Sequence, residues 1–202
     1  MTRRPDSDEA RTRIVAAAVR CLARHGVRGL RMADIGREAG VSSGLLYYHF
    51  ANRDGLLAAT LAHVNDTAAA GRARAAGDGR DALIDNLVDE ISDDPEVRDH
   101  AAAWHEINAS AVFDSALAAH LRATTADWQR RIADGLMQTA GKTAPPNRQA
   151  ADAQAAIATA LVDGLSQRWL TGRLSTDEAR ALLRRALIRQ FGGDAAGSTP
   201  CN

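Results

Sequence analysis

The sequence predicts an all-α protein, with an N-terminal three-helix head that carries a helix-turn-helix and a larger C-terminal helical body. Three observations point there. Hydrophobic residues make up 46% of the 202 positions but aromatic residues only 4%. The apolar content is therefore mostly Ala and Leu, which favour helices over strands. No run of β-branched residues alternates with polar ones, as a half-buried strand would require. Apolar residues instead recur at helical spacing, in segments punctuated by Gly, Pro, Ser and Asn.

Taken in order, the first helix spans about residues 8–25, with Ile14, Ala17, Ala18, Cys21 and Leu22 on one stripe and Gly26 as its stop. A short second helix fits 32–39, with Met32, Ile35 and Ala39 on one side and Gly40 closing it. A short third helix fits 42–49, with Ser42 or Ser43 as N-cap. Asn52 caps a longer helix from about Arg53 that carries Leu56, Leu57, Leu61 and Val64. The stretch 71–79, GRARAAGDG, is small and polar and reads as a break. Helices near 81–92, 95–121 and 124–139 follow, Pro95 suiting a first turn. After the loop GKTAPPN at 141–147 come helices over 148–170 and 176–191, the last with Ser175 as N-cap. This divides the chain into a head (1–53), a body (54–191) and a Gly/Ser/Pro tail (192–202) expected to be disordered.

Charge distinguishes the parts. The chain is formally neutral, yet residues 1–53 hold ten arginines against five carboxylates, a net of +5, and the rest of the chain balances it at −5. A basic head suits a polyanion. No segment approaches the ~20 apolar residues of a membrane span. The N-terminus MTRRPDSDEART has no apolar core of a secretory signal. Cys21 and Cys201 make no disulfide framework, Cys21 reading as a small core residue. A cytoplasmic protein is expected.

The chemistry sits in residues 39–50, AGVSSGLLYYHF. Two short helices around a tight Gly-containing turn are the ingredients of a helix-turn-helix, and the major groove admits one α-helix. Small residues are needed where that helix nears base edges, and Ser42, Ser43 and Gly44 meet the need, with Leu45 and Tyr48 on the same groove side. Tyr47, His49 and Arg53 supply donors for flanking phosphates. Leu46 and Phe50 would point back into the head. Tyr47, Tyr48 and His49 are consecutive, so they cannot all face one core.

On these residues the head resembles the TetR family of transcriptional regulators. The match runs through Ile14, Ala18, Leu22 and Gly26, then Met32, Ile35, Ala39-Gly40-Val41-Ser42, Gly44, Leu46-Tyr47-Tyr48-His49-Phe50 and Leu56-Leu57. The body, through Ala160-Leu161-Val162-Asp163-Gly164-Leu165 and a helix bearing Trp104, looks like the regulatory domain of the betaine-inhibitor type of repressor. One departure is Arg31, where the family usually has a Ser or Thr that caps the second helix and touches phosphate; the resemblance implies Arg31 as a backbone contact, with Met32 beside it in the DNA-binding set. The resemblance implies a homodimer whose last two helices form a four-helix bundle with the partner. It implies a small-molecule effector and a palindromic operator on double-stranded DNA. The expected function is a repressor released by its effector. An activator or ligand-insensitive regulator on the same fold stays open.

Other readings are weaker. Gly40-Val41-Ser42-Ser43-Gly44 also fits G-x-S-x-G, but a nucleophile elbow needs a preceding strand. No acid–base pair has convincing spacing, so an enzyme is not expected and no cofactor is required. His100 and His105 stand five apart, off one helix face, and no Cys is near, so no metal site is expected. A small-molecule site needs convergent polar groups in an apolar cavity. Trp104, His105, Asn108, Ser110, Phe113, Trp128 and Trp169 are the candidates in the body.

Overall fold

The computed structural model of the chain describes residues 5–74, 79–139 and 147–192. Among them are nine helices and no strand: α1 (Pro5–Gly29), α2 (Met32–Ala39), α3 (Ser43–His49), α4 (Arg53–Arg74), α5 (Arg80–Val88), α6 (Pro95–Ala111), α7 (Ser115–Thr139), α8 (Arg148–Leu170) and α9 (Thr176–Phe191). They belong to two compact units. The first comprises the chain up to Arg74 together with Glu90–Trp128, and the second comprises Ala75–Asp89 with Gln129–Asn202.

In the first unit α1, α2 and α3 enclose Ile14, Leu22, Ile35 and Leu46, all essentially without solvent exposure. The same core continues through Leu56 and Leu61 of α4 and Ile107 of α6. Cys21 lies in it as a small buried residue. Gly26 breaks α1 with φ 64 and ψ 174, a backbone shape that strains a side chain but not glycine. Gly40 likewise takes φ 65 and ψ 38 after α2, and its N–H returns to the carbonyls of Gly36 and Arg37.

In the second unit α8 and α9 run antiparallel. The Gln154 side-chain amide donates to the Gln190 carbonyl at 3.1 Å and the Gln190 amide donates to the Gln154 carbonyl at 2.6 Å. Ser175 and Glu178 form a reciprocal capping box at the start of α9. Arg180 and Arg184 of α9 reach Asp89 (2.8 Å) and Asp85 (2.5 Å) on and just after α5. Ile84, Leu87, Leu183 and Leu187 fill the space between.

Sequence expectations differ from these elements at α1, which starts at Pro5 and resumes after the Gly26 break to Gly29, and in three further places. The helix expected over 95–121 ends at Ala111, and a new one starts at Ser115. The break belongs to Asp114, whose Oδ1 accepts from the N–H groups of both Ala116 and Leu117 at 3.0 Å. That is an N-cap, and no helix stop is needed at 122–123. The helix expected over 81–92 ends at Val88. The break expected from Gly71 is displaced, because α4 continues to Arg74. Residues 75–78, most of the 141–147 loop and the tail beyond Gly192, with Cys201, lie outside the described residues. No described helix is long and apolar enough to cross a membrane.

Candidate nucleic-acid interface and effector site

The recognition helix is held by a few contacts and leaves the rest of its surface open. Ser42 is the N-cap of α3: its Oγ accepts from the Leu45 N–H at 3.2 Å. Leu46 (1% exposed) and Phe50 (4%) plug the helix into the head. Around these anchors Ser42, Ser43, Gly44 and Leu45 are exposed, as are Tyr47 (52%) and Tyr48 (77%). Tyrosines this open, next to buried anchors, take no part in packing the head and leave this face of α3 free. Arg31 is exposed and, at the N-cap position of α2, makes no side-chain capping bond, while Met32 is half-buried. His49 is half-buried, its ring edge-to-face with Tyr48 at 5.2 Å.

Several charges are engaged in holding this platform. Glu38 of α2 accepts from Arg20 and Arg24 of α1, each at 2.7 Å. These two hydrogen bonds hold its carboxyl below the usual carboxylate range. Arg37 pairs with Asp34 at 3.1 Å. The Arg11 guanidinium lies over the Phe50 ring at 5.4 Å. Arg53, expected at phosphate, is half-buried and donates through Nη2 to the Val27 carbonyl, tying α4 to the end of α1. Asn52 caps α4, its Oδ1 accepting from the Gly55 N–H at 2.8 Å.

The candidate effector residues separate into two groups. Trp104 of α6 and Trp128 of α7 meet edge-to-face at 5.8 Å, both buried. Trp128 is 7% exposed, and its Nε1 is buried with no hydrogen-bond partner among the described residues. Asn108 lies one turn beyond Trp104 and donates from Nδ2 to the Trp104 carbonyl at 3.0 Å. His105 and Ser110 are half-buried on the same helix. Burial pushes the His105 pKa down. Phe113 is not among them. It sits in the turn between α6 and α7, just before the Asp114 cap, and is 84% exposed. Trp169 belongs to the second unit, where its indole N–H donates to Thr176 Oγ1 at 2.9 Å.

Sequence reasoning missed the polar residues on α4. His63 meets His100 of α6 edge-to-face at 6.0 Å, and Asn65 donates to Asp127 of α7 at 3.4 Å. Burial pushes both histidine pKa values down, against the pull of nearby carboxylates. Thr60, fully buried, donates to the Leu56 carbonyl at 2.8 Å. The His63 and Asn65 contacts join α4 to α6 and α7, the two helices that carry Trp104 and Trp128. A helical-face analysis of α4 would have found His63 and Thr60, since they share a side with Leu56.

A helix-turn-helix with a buried anchor and an open, tyrosine-bearing face makes the chain a DNA-binding protein with a helical body. Comparison with known proteins says which kind. Residues 14–60 match the profile of bacterial regulatory proteins of the tetR family, and residues 80–192 match that of the C-terminal domain of BetI-type transcriptional repressors. The chain is 30% identical to the HTH-type transcriptional regulator BetI of Burkholderia mallei (strain NCTC 10229), over 87% of this chain and 89% of that one. Among solved structures, a TetR-family transcriptional regulator from Rhodococcus sp. is 42% identical with a TM-score of 0.83, covering 91% of this chain and 99% of that one. A transcriptional regulator from Saccharomonospora viridis, solved in complex with choline, is 26% identical with a TM-score of 0.71, covering 90% and 96%. The chain belongs to the TetR family of bacterial transcriptional regulators, with a BetI-type C-terminal domain.

Proposed function

We propose that this regulator is a homodimeric repressor, acting in the cytoplasm, that releases a palindromic operator when a small molecule occupies the α4–α6–α7 site. The observation that carries the DNA half is the open face of α3, with Ser42, Ser43, Gly44, Leu45 and Tyr48 for the groove and Tyr47 for the backbone; exposed Arg31 and half-buried Met32 at the start of α2, and half-buried His49, flank it. Arg53 contributes by holding the joint between α1 and α4. Dimerisation uses α8 and α9. Ala153, Ala156, Ile157 and Ala160 form an exposed apolar stripe on α8, and Ile157 and Ile188 are each 53% exposed. Small residues let helix pairs approach closely, as a four-helix bundle needs.

The effector site is built on Trp104, Trp128, His105 and Asn108, with His63 and His100 alongside. Trp128 offers a buried N–H in want of an acceptor, so the effector carries an acceptor oxygen or similar group. The Saccharomonospora relative was solved in complex with choline, and an indole face also suits an organic cation.

The test is selection of bound duplexes from a random pool by the purified protein. An enriched inverted repeat, with half-sites about one helical turn (~34–36 Å) apart, is the expected result. Recovery of unrelated sequences overturns the reading. A promoter carrying the selected site should fire more strongly when the gene is deleted, and weaker firing would make the protein an activator.

A further inference from the structure

We propose that Glu106 of α6 is a positioning residue for the DNA-binding head, clasping the α1 break so that a displacement of α6 is felt directly at the head. This rests on the reading of the protein as an operator-binding regulator.

Four observations meet at one turn of chain. Gly26 breaks α1 at φ 64, leaving the N–H of Val27 without the carbonyl a continuous helix would supply. Glu106 supplies the acceptor instead: its Oε2 takes the Val27 N–H at 3.2 Å, across a large separation in sequence. The carboxylate fits the hollow left by the missing side chain, since a Cβ on Gly26 would stand 2.7 Å from Oε2. On the other side of the same residue, Arg53 Nη2 holds the Val27 carbonyl. One residue of the head is thus gripped from α6 through its N–H and from α4 through its C=O.

The position of Glu106 in its own helix makes the grip informative. It lies between Trp104, which packs on Trp128, and Asn108, which bonds the Trp104 carbonyl. A rotation or slide of α6 that repacks Trp104 must also move the Glu106 carboxylate. Val27 sits just before Leu30, which is buried in the head, and two residues before the end of α1. A hydrogen bond is short-ranged and directional, so a shift of a fraction of a helical turn breaks it.

The experiment uses the full-length protein and an operator duplex selected with it. Glu106→Ala, Glu106→Gln and Gly26→Ala are compared for operator affinity, for global stability and for hydrogen exchange of the Val27 amide. Glu106→Ala is expected to speed Val27 exchange at least about tenfold and weaken operator binding about 5- to 10-fold, the low end of allosteric couplings. Glu106→Gln keeps an acceptor oxygen and should restore both to within about twofold of the parent. Gly26→Ala both strains the backbone at φ 64 and expels the carboxylate, so it should weaken binding at least as much as Glu106→Ala, and adding Glu106→Ala to it should weaken binding no further. Wild-type operator affinity in Glu106→Ala overturns the proposal. So does a loss that Glu106→Gln shares, or one accompanied by equally faster exchange throughout α1, which would mark general unfolding. If Glu106→Ala does not fold, Glu106→Asp, which draws the acceptor back by one methylene, takes its place with the same expected and overturning results at the Val27 amide and the operator. Failure to select any operator strikes the regulator reading, whereas a good operator with indifferent Glu106 variants strikes only this one.

Discussion

Ser42 has two jobs, which two substitutions separate. Its Oγ caps α3 through the Leu45 N–H, and α3 is a seven-residue helix with little else of its own. Ser42→Ala removes the cap, a loss of about 1 kcal/mol. For a chain of this size that lowers Tm by roughly 2–4 °C. Ser42→Asp keeps a capping oxygen and places a negative charge at the positive end of the helix, so stability should match or slightly exceed the parent. DNA reads the same two changes differently. If the N-terminus of α3 enters the groove, the introduced carboxylate stands about 7 Å from a phosphate, and at effective dielectric constants of about 20 to 80 the repulsion costs about 0.6–2.4 kcal/mol. Operator affinity should therefore fall roughly 3- to 50-fold in Ser42→Asp although the protein is as stable as before. Thermal denaturation and fluorescence anisotropy on a labelled operator measure the two effects. A Ser42→Asp protein that binds as tightly as the parent would show that the start of α3 does not approach DNA, and would refute the assigned interface.

Three further outcomes are expected. Trp128→Phe removes a buried, unpartnered donor, whose desolvation costs about 1–3 kcal/mol, while losing some packing. Its unfolding free energy should stay within about 1 kcal/mol of the parent, while thermal-shift titrations with choline and other acceptor-bearing ligands lose their response. Urea denaturation followed across pH should show stability falling as pH drops below about 6.5, the unfolded histidine value. The sign follows from burial: His63, His100 and His105 have depressed pKa values in the fold, so the unfolded chain takes up protons first. Their contribution is complete above about 6.5 and declines below it. His100→Gln should flatten the slope between about pH 7 and 5, before the Glu38 carboxyl begins to titrate, and an unchanged slope would count against it. Ile157→Asp and Ile188→Asp put a charge on the stripe assigned to dimerisation, and sedimentation should show dimers at least about tenfold weaker. Dimers of parental strength would move the interface elsewhere.

Local signals carry most of the head. The Gly40 turn, the Ser42 cap and the alternation of buried Leu46 with exposed Tyr47 and Tyr48 are all decided within a few residues, and a sequence displays them directly. Boundaries of α2, α8 and α9 are equally legible, because Gly40, Asn147 and Ser175 mark them. The α6–α7 break is hidden because Ala-rich sequence runs on both sides of it, and only the capping geometry of Asp114 shows that the helix stops. What no local pattern can reveal is pairing across the fold. His63 on His100, Trp104 on Trp128 and Arg53 on the Val27 carbonyl each depend on which helix faces which. For the same reason residue type alone does not tell that Phe113 faces solvent or that the Trp169 indole N–H is taken by Thr176.

The fork that Arg20 and Arg24 place on Glu38 also bears on how the head responds to salt. Affinity for DNA falls with ionic strength in proportion to the phosphates a protein neutralises, because each contact returns condensed counterions to solution. Ten arginines in the first 53 residues invite a large count. Arg20, Arg24 and Arg37 are already paired with carboxylates, and Arg53 is engaged by a carbonyl. The slope of log affinity against log salt should accordingly be shallower than the arginine content suggests. A good share of the positive charge in this head is held by partners within the head, where it shapes the surface without releasing ions from the duplex.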